Sequence, residues 1–249
     1  MLLLPAIDLR GGRCVRLLRG SFSTAISYSS DPVACAQSFA RDGARWIHIV
    51  DLDAAEGKGR DNLGVIGRIR AAIPCRLQVG GGVRRADQAA RLLALGVQRI
   101  VLGTVLVKSP DDVAAWVRDY GPRFAAGVDA TNGSVRVAGW TEEAGQRDTD
   151  VAAGLAAVGI RWLVYTNIER DGTLSGPDIP RTNAAARAAG LPTILSGGIG
   201  SERDVEQVAE QKDPLVAGVI LGKALYEGRV DLAKLISRFP QEEDSSWDS

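Results

Sequence analysis

Histidine, methionine and cysteine are scarce in this chain of 249 residues, which contains one histidine, one methionine and three cysteines. Cys14, Cys35 and Cys75 form no CxxC pair, and their odd number gives no complete disulfide framework. Histidines, cysteines and carboxylates also do not cluster at the spacing of metal ligands, so the sequence predicts no metal site. A reducing, cytoplasmic environment is the simplest expectation.

Long hydrophobic runs and an excess of charge are missing too. Thirty basic and thirty acidic residues cancel, and no run of like charge stands out, so we expect neither nucleic acid nor an acidic membrane surface as a partner. The apolar start Met1–Leu4 is interrupted by Pro5 and Asp8 and follows no basic residue, which argues against a signal peptide. No later run approaches membrane-spanning length, so the sequence predicts a soluble protein.

Short apolar runs instead alternate with longer amphipathic segments, as in repeated βα units around a parallel sheet. A helix after Asp31-Pro32, a second after Ser109-Pro110 and a third over Ala86–Leu95 fit this pattern. We predict a single domain over residues 1–240, an α/β (βα)8 TIM barrel built from two half-barrels, and a polar, mobile tail over 241–249. The eight predicted strands are Leu2–Ile7, Trp46–Val50, Arg76–Val79, Arg99–Leu102, Phe124–Val128, Trp162–Tyr165, Thr193–Leu195 and Gly218–Leu221.

The half-barrels are suggested by an internal repeat of about 120 residues. Each half has an aspartate after its first apolar run, Asp8 or Asp129. Each half then has two glycine turns. Those of the first half contain Gly81, Gly82, Gly103 and Thr104, and those of the second half contain Gly197, Gly198, Gly222 and Lys223. Two equivalent halves suggest a ligand with two equivalent ends.

The repeated residues have a chemical interpretation in a barrel, where reactions occur at the C-terminal ends of the strands. Asp8 and Asp129 would face each other across one mouth and divide the roles of acid and base. Helices beginning near Arg84 and Ser201 would expose backbone N–H groups beside the glycine turns, which suits phosphate. The pattern therefore predicts a bisphosphorylated substrate processed at its centre, although a lone aspartate commonly caps a turn and glycine commonly only permits one.

The sequence also resembles the phosphoribosylformimino-aminoimidazole carboxamide ribotide isomerases of histidine biosynthesis, in order over residues 1 to 239. The segments that carry the resemblance are Ala6–Leu9, Gly12–Leu17, His48–Ala55, Gly80–Arg84, Gly139-Trp140, Arg170–Thr173 and Ser196–Ile199. The resemblance implies an Amadori rearrangement of an aminoaldose to an aminoketose without cofactor or metal. In that family the aspartate matching Asp8 is the general base and the one matching Asp129 is the general acid.

Further substrate-binding candidates accompany this pair. Thr166 follows the sixth strand as Asp51 follows the second, and either residue would contact substrate or cap a turn. The resemblance adds a loop tryptophan that stacks on substrate, a loop aspartate, a basic loop residue and the lone histidine, which are Trp140, Asp171, Arg16 and His48. A lone histidine in a strand is more often a hydrogen-bonded core residue. We expect no obligate protein partner and a monomer.

Three alternatives to this interpretation remain open. A dual-substrate relative also isomerises phosphoribosylanthranilate, but its arginine two positions before the loop tryptophan is replaced in this chain by Ala138, with Arg136 two residues further back. The sister cyclase has a Cys-Leu-Asp-Val strand and a catalytic-loop lysine, where this chain has Ala6–Leu9 and arginines. A non-catalytic sensor of sugar bisphosphates has the same fold, although two carboxylates near a doubly anionic ligand would not help it bind.

Overall fold

The residues described in this computed structural model, 1–18, 21–29 and 31–240, contain twelve strands. The side chains of 16–18 and 21–29 and the predicted tail at 241–249 lie outside the described part. The strands are β1 (Leu2–Arg10), β2 (Arg13–Leu18), β3 (Ser21–Ser29), β4 (Trp46–Asp51), β5 (Arg76–Gly80), β6 (Arg99–Leu102), β7 (Phe124–Thr131), β8 (Ser134–Val137), β9 (Glu142–Arg147), β10 (Leu163–Asn167), β11 (Thr193–Ser196) and β12 (Val216–Leu221).

Eight of these strands close into a parallel barrel. Around the barrel their order is β1, β4, β5, β6, β7, β10, β11 and β12, and β12 pairs with β1 again. Every predicted strand overlaps one of these eight, and the predicted (βα)8 barrel is confirmed. Closure leaves no exposed sheet edge among the eight strands, and it brings their C-terminal ends to one rim.

Helices connect the strands. They are α1 (Pro32–Arg41), α2 (Leu52–Glu56), α3 (Leu63–Ala72), α4 (Ala86–Ala94), α5 (Thr104–Lys108), α6 (Pro110–Tyr120), α7 (Asp148–Gly154), α8 (Ile179–Ala189), α9 (Glu202–Gln211), α10 (Lys223–Tyr226) and α11 (Leu232–Arg238). The helix predicted after Asp31-Pro32 is α1, and Asp31 caps it because its carboxylate accepts the N–H groups of Val33 and Ala34. Ser109 precedes α6 and also ends α5, where its N–H donates to the Val105 carbonyl oxygen, but its side chain makes no cap bond to α6.

Two antiparallel hairpins extend the barrel at equivalent places in the two halves. β2 and β3 follow β1, while β8 and β9 follow β7. Asp8 pairs with Val15 across β1 and β2, and Asp129 pairs with Arg136 across β7 and β8. Each aspartate is in the third residue pair counted from the turn of its hairpin. The sequence predicts no strand for β8 or β9 and a loop at Trp140, because Glu142–Arg147 is polar and lacks apolar alternation; in the structure β9 is mostly exposed.

The barrel interior is filled at the end away from the aspartates. Arg99, at the start of β6, is almost fully buried. Its guanidinium lies 4.5 Å from the ring centroid of Trp46 and 4.7 Å from that of Trp162, which places the cation between two aromatic faces. Apolar side chains from five strands pack above this stack, namely Leu2, Leu4, Ala6, Ala125, Val164, Ile194 and Ile220.

Candidate active site

A pocket of about 240 Å³ opens at the C-terminal rim of the barrel. Asp8 and Asp129 both line it. β1 and β7 are four strands apart in either direction around the barrel, so the two carboxylates approach the pocket from opposite walls. Among the side chains that the structure describes, the other charged or titratable ones that line the pocket are His48, Arg84, Arg136, Asp171 and Lys223.

Asp129 is held by two hydrogen-bond donors. The indole Nε1–H of Trp140 donates to its Oδ2 at 2.8 Å, and the Thr166 side chain forms a second bond. Asp129 is half-buried by accessible area because the pocket reaches it, yet protein surrounds its carboxyl group on the other sides. This burial raises the pKa of the Asp129 carboxyl, and the bonds from Trp140 and Thr166 oppose the rise. The group is therefore biased towards its protonated form.

The turn between β8 and β9 presents Trp140 to Asp129. Ala138 and Trp140 both have positive φ, at 53° and 71°, which is costly for residues with a Cβ and must be held by the surroundings. The Arg136 guanidinium donates through Nε and Nη2 to the Trp140 carbonyl oxygen, at 3.3 and 3.2 Å. The Ala138 N–H donates to Thr104 Oγ1 at 2.9 Å, so the turn is anchored on both sides.

The glycine turns of both halves lie in the wall of the same pocket, where their members are Gly81, Gly82, Gly103, Thr104, Gly197, Gly198, Gly222 and Lys223. Gly81 has φ +100°, and a Cβ there would lie 2.3 Å from the carbonyl oxygen of Asp51. Gly197 has φ +93°, and a Cβ there would lie 2.8 Å from the carbonyl oxygen of Asn167. The turns thus pack against equivalent loops in the two halves, and glycine is needed for both φ and space.

The sequence model of the family described as "Histidine biosynthesis protein" matches residues 2–231. The chain belongs to this family. A relative from Moorella thermoacetica is 44% identical over 237 residues, which cover 95% of this chain and 98% of the relative. Another from Methylobacterium nodulans is 42% identical, with coverage of 98% and 97%. A third from Herpetosiphon aurantiacus is 44% identical, with coverage of 95% and 97%. All three are named 1-(5-phosphoribosyl)-5-((5-phosphoribosylamino)methylideneamino) imidazole-4-carboxamide isomerase.

Other candidate residues of this histidine biosynthesis protein also reach the pocket. His48 lies on β4, is buried, and lines the pocket beneath the rim. Its Nδ1 lies 2.7 Å from the side-chain nitrogen of Gln78, a fully buried residue on the neighbouring strand. Asp171 lines the pocket from the loop after β10, where Asn167 accepts the N–H groups of Glu169 and Arg170 and so shapes the start of the loop.

Two basic candidates make backbone contacts at the pocket wall. The Arg84 guanidinium donates to the carbonyl oxygens of Ala54 and Ala55, at 3.3 and 2.8 Å, and so ties the end of α2 to the Gly81-Gly82 turn. Lys223 Nζ donates to the Gly172 carbonyl oxygen at 3.2 Å. The side chain of Arg16 lies outside the described residues.

Asp51 lies outside the lining of the pocket and acts instead as a cap. Its Oδ1 accepts from the Ala54 N–H and from Asn62 Nδ2, and its Oδ2 accepts from the Asn62 N–H. Asn62 Nδ2 also donates to Asp53, and Asp53 accepts the Gly11 N–H at 2.6 Å. This buried cluster fixes the β1–β2 turn beyond Asp8. Sequence analysis missed Asn62 and Asp53, because both looked like ordinary loop residues.

Two kinds of feature are absent from the residues that the structure describes. Among the side chains that the structure describes, no three histidine, cysteine, aspartate or glutamate groups lie where they could hold a metal ion. None of the described helices is long and apolar enough to cross a membrane.

Proposed function

We propose that this protein performs the isomerisation for which its relatives are named, as an aldose–ketose isomerase of histidine biosynthesis. The observation that carries the proposal is the placement of Asp8 and Asp129 on opposite walls of one pocket, with glycine turns of both halves around them. The substrate is a small molecule that carries two phosphoribosyl groups, and the reaction converts one aminoaldose end to an aminoketose.

Asp129 is the proposed general acid. Burial raises the pKa of its carboxyl group and so favours the protonated form that a general acid needs. It gives this proton to the ribose ring oxygen while the C1′–O bond breaks and the amine nitrogen forms a double bond to C1′, which yields an open-chain Schiff base. The donors on Trp140 and Thr166 then stabilise the carboxylate that results.

Asp8 is the proposed general base, and it acts from the opposite wall. It removes the proton from C2′, whose electron pair becomes the C1′–C2′ double bond while the nitrogen takes back the electrons of the Schiff base. The enaminol then gives the ketose by protonation at C1′ and loss of the C2′ hydroxyl proton. No electrons leave the substrate, so the sequence of steps needs no redox cofactor.

The two phosphates bind, in this proposal, at the paired glycine turns. Gly81, Gly82, Gly103 and Thr104 hold one end, and Gly197, Gly198, Gly222 and Lys223 hold the other. Arg84 adds positive charge at the edge of the first turn. His48, Asp171, Trp140, Thr166 and Arg16 complete the proposed substrate contacts, and Asp51 contributes through the cap that it forms.

The experiment is steady-state kinetics of the purified protein with the bisphosphorylated aminoaldose. Asp8→Asn and Asp129→Asn should each lower kcat by about 10²- to 10⁴-fold with little change in KM, because each removes one proton-transfer group. Asp112→Asn, at an exposed position in the first turn of α6, is the matched control and should leave kcat unchanged. Near-normal kcat in Asp129→Asn would show the two-carboxylate mechanism to be wrong.

Phosphoribosylanthranilate is tested in the same assay. The Arg136 guanidinium donates to the Trp140 carbonyl oxygen, and Ala138 occupies the position from which the dual-substrate relatives present an arginine. We therefore propose a single-substrate enzyme. Turnover of phosphoribosylanthranilate would contradict this part of the proposal alone.

A further inference from the structure

The short helix α5 contacts the β8–β9 hairpin at both of its ends. At its start, Thr104 Oγ1 accepts the Ala138 N–H at 2.9 Å. At its end, Lys108 Nζ lies 2.8 Å from Glu142 Oε2. The second contact is an exposed ion pair, whose contribution to stability is small. The first is half-buried at the pocket wall, and it holds the turn together with the two bonds from Arg136 to the Trp140 carbonyl oxygen.

Thr104 has hydrogen-bonding capacity left for a ligand. A hydroxyl group accepts through two lone pairs and donates one proton, and the Ala138 N–H uses one lone pair. The proton remains for an acceptor in the pocket, and the proposed phosphate at the Gly103 turn is such an acceptor. Thr104 Oγ1 can therefore bond the phosphate and the hairpin at the same time.

Ala138 and Trp140 belong to the same tight turn. The two residues are separated by Gly139, and Thr141 Oγ1 closes the turn by donating to the Ala138 carbonyl oxygen at 2.7 Å. Both Ala138 and Trp140 have positive φ, so the turn keeps its shape only while its contacts hold. From this turn the Trp140 indole reaches Asp129 Oδ2.

We propose that Thr104 is a positioning residue which couples phosphate binding at the Gly103 turn to the placement of the Trp140 indole on Asp129. The inference rests on the proposed function for the identity of the ligand. A phosphate that accepts the Thr104 proton holds the hydroxyl with its lone pair towards Ala138. Binding energy from a remote end of the substrate is thereby used to order the acid at its centre.

The second half has a comparable contact at the other proposed phosphate site. Lys223 occupies the position equivalent to Thr104, and its Nζ donates to the Gly172 carbonyl oxygen. Gly172 follows Asp171 in the loop after β10. In both halves, therefore, the residue after the second glycine turn bonds the backbone of a loop that lines the pocket.

The test compares Thr104→Val with Thr104→Ser. Valine keeps the shape but removes the acceptor of the Ala138 N–H, while serine keeps the hydroxyl. We expect Thr104→Val to lower kcat by about tenfold, as for a half-buried amide left unpaired. It should also move the pH limb that Asp129 sets to higher pH, since Trp140 no longer holds the carboxylate. Thr104→Ser keeps the hydroxyl group, so its kcat and the position of its pH limb should match those of the wild type. The other titratable groups that face the pocket, Asp8, His48, Arg84, Arg136, Asp171 and Lys223, are the same in both variants.

A double-mutant cycle with Trp140→Phe separates positioning from simple phosphate binding. If Thr104 acts through Trp140, Thr104→Val costs little more in the Trp140→Phe background. If Thr104 only binds phosphate, the two losses add, KM rises and no pH limb moves, and the inference is wrong. Glu142→Ala is the matched control because it removes the exposed contact with Lys108 between the same helix and hairpin; it should change neither kcat nor the limb.

A second measurement does not depend on turnover. Acrylamide quenching of Trp140 fluorescence, taken as the difference from Trp140→Phe, reports the exposure of the indole. Inorganic phosphate should reduce quenching in the wild type and in Thr104→Ser but not in Thr104→Val. An equal reduction in all three would overturn the coupling even if the isomerase activity is present. The expected pattern without isomerase activity would support the coupling and refute only the function.

Discussion

Trp140→Phe gives the sharpest test of how Asp129 works. The substitution keeps an aromatic ring on the hairpin but removes the Nε1–H that donates to Asp129 Oδ2 at 2.8 Å. That bond stabilises the ionised carboxylate and so lowers the pKa of Asp129, against the rise that burial causes. Without the bond the pKa of Asp129 rises further, and the residue stays protonated to higher pH.

The size of the effect follows from the type of bond. A hydrogen bond to a charged group contributes about 1.5 to 3 kcal/mol, and the lower end applies at a half-buried site open to a pocket. This corresponds to a displacement of about one pH unit in the limb that Asp129 sets. The assay is kcat/KM between about pH 5 and 10, which reports the free enzyme's acid and base. If Asp129 is the general acid, the alkaline limb moves to higher pH.

The direction of the change also distinguishes the two possible roles. If Asp129 were the base, the acidic limb would move to higher pH and the alkaline limb would stay in place. Loss of the proposed stacking on substrate would lower kcat/KM at every pH, so only the positions of the limbs are compared. Trp116→Phe is the matched control, because Trp116 is a core residue beside Phe124. Unmoved limbs in Trp140→Phe would refute the idea that the Trp140 indole tunes the pKa of a catalytic Asp129.

Two further predictions concern stability and are checked by urea denaturation. Gly82→Ala should cost several kcal/mol more than Gly190→Ala: the two glycines have φ of +71° and +62°, but a Cβ at Gly82 would lie 2.1 Å from the Ala54 carbonyl oxygen, whereas nothing lies within 4 Å at Gly190. Equal losses would contradict this reasoning. Tyr165→Phe should cost about 1 to 3 kcal/mol at neutral pH, because buried Asp148 loses a donor at 2.6 Å. Burial raises the pKa of Tyr165, so its neutral form stabilises the fold below about pH 10 and this contribution is lost above that pH. Above about pH 10 the free energy of unfolding of Tyr165→Phe should therefore fall less steeply with pH than that of the wild type. Parallel curves of unfolding free energy against pH would contradict the prediction.

The placement of Asp8 and Asp129 could be predicted from sequence because barrel closure leaves few alternatives. Once eight apolar runs are assigned to parallel strands, residues that follow them must meet at one rim. The repeat then places the first and fifth strands opposite each other, and the structure has both aspartates lining one pocket. The glycine turns follow from the same argument.

Thr166 and Asp51 show where such reasoning stops. Their sequence spacing pairs them, but the strand registers of the barrel do not. Asp129 lies beside Thr166 on β10 and bonds it, whereas Asp8 lies beside Val50 on β4, so the residue equivalent to Asp51 is Asn167. Asn62 donates to Asp51, and in the second half Asn167 donates to Asp178. Sequence spacing does not resolve a shift of one residue, and on a strand that shift decides which side a side chain faces.

The hairpin contacts were beyond sequence analysis for a different reason. The bonds from Arg136 to Trp140 and from Ala138 to Thr104 depend on a turn with positive φ at residues other than glycine. Sequence preferences disfavour that conformation, since only the surrounding contacts hold it. The structure shows both the unfavourable backbone conformation and the contacts that hold it.

The stack of Trp46, Arg99 and Trp162 also governs how molecules move through this enzyme. Because the described side chains fill the barrel at that end, substrate and product share a single entrance at the opposite rim. The ketose must depart before the next aldose arrives. The hairpin that carries Trp140 lines the pocket at that entrance, so the element that holds the proposed acid also lies beside the route of substrate and product.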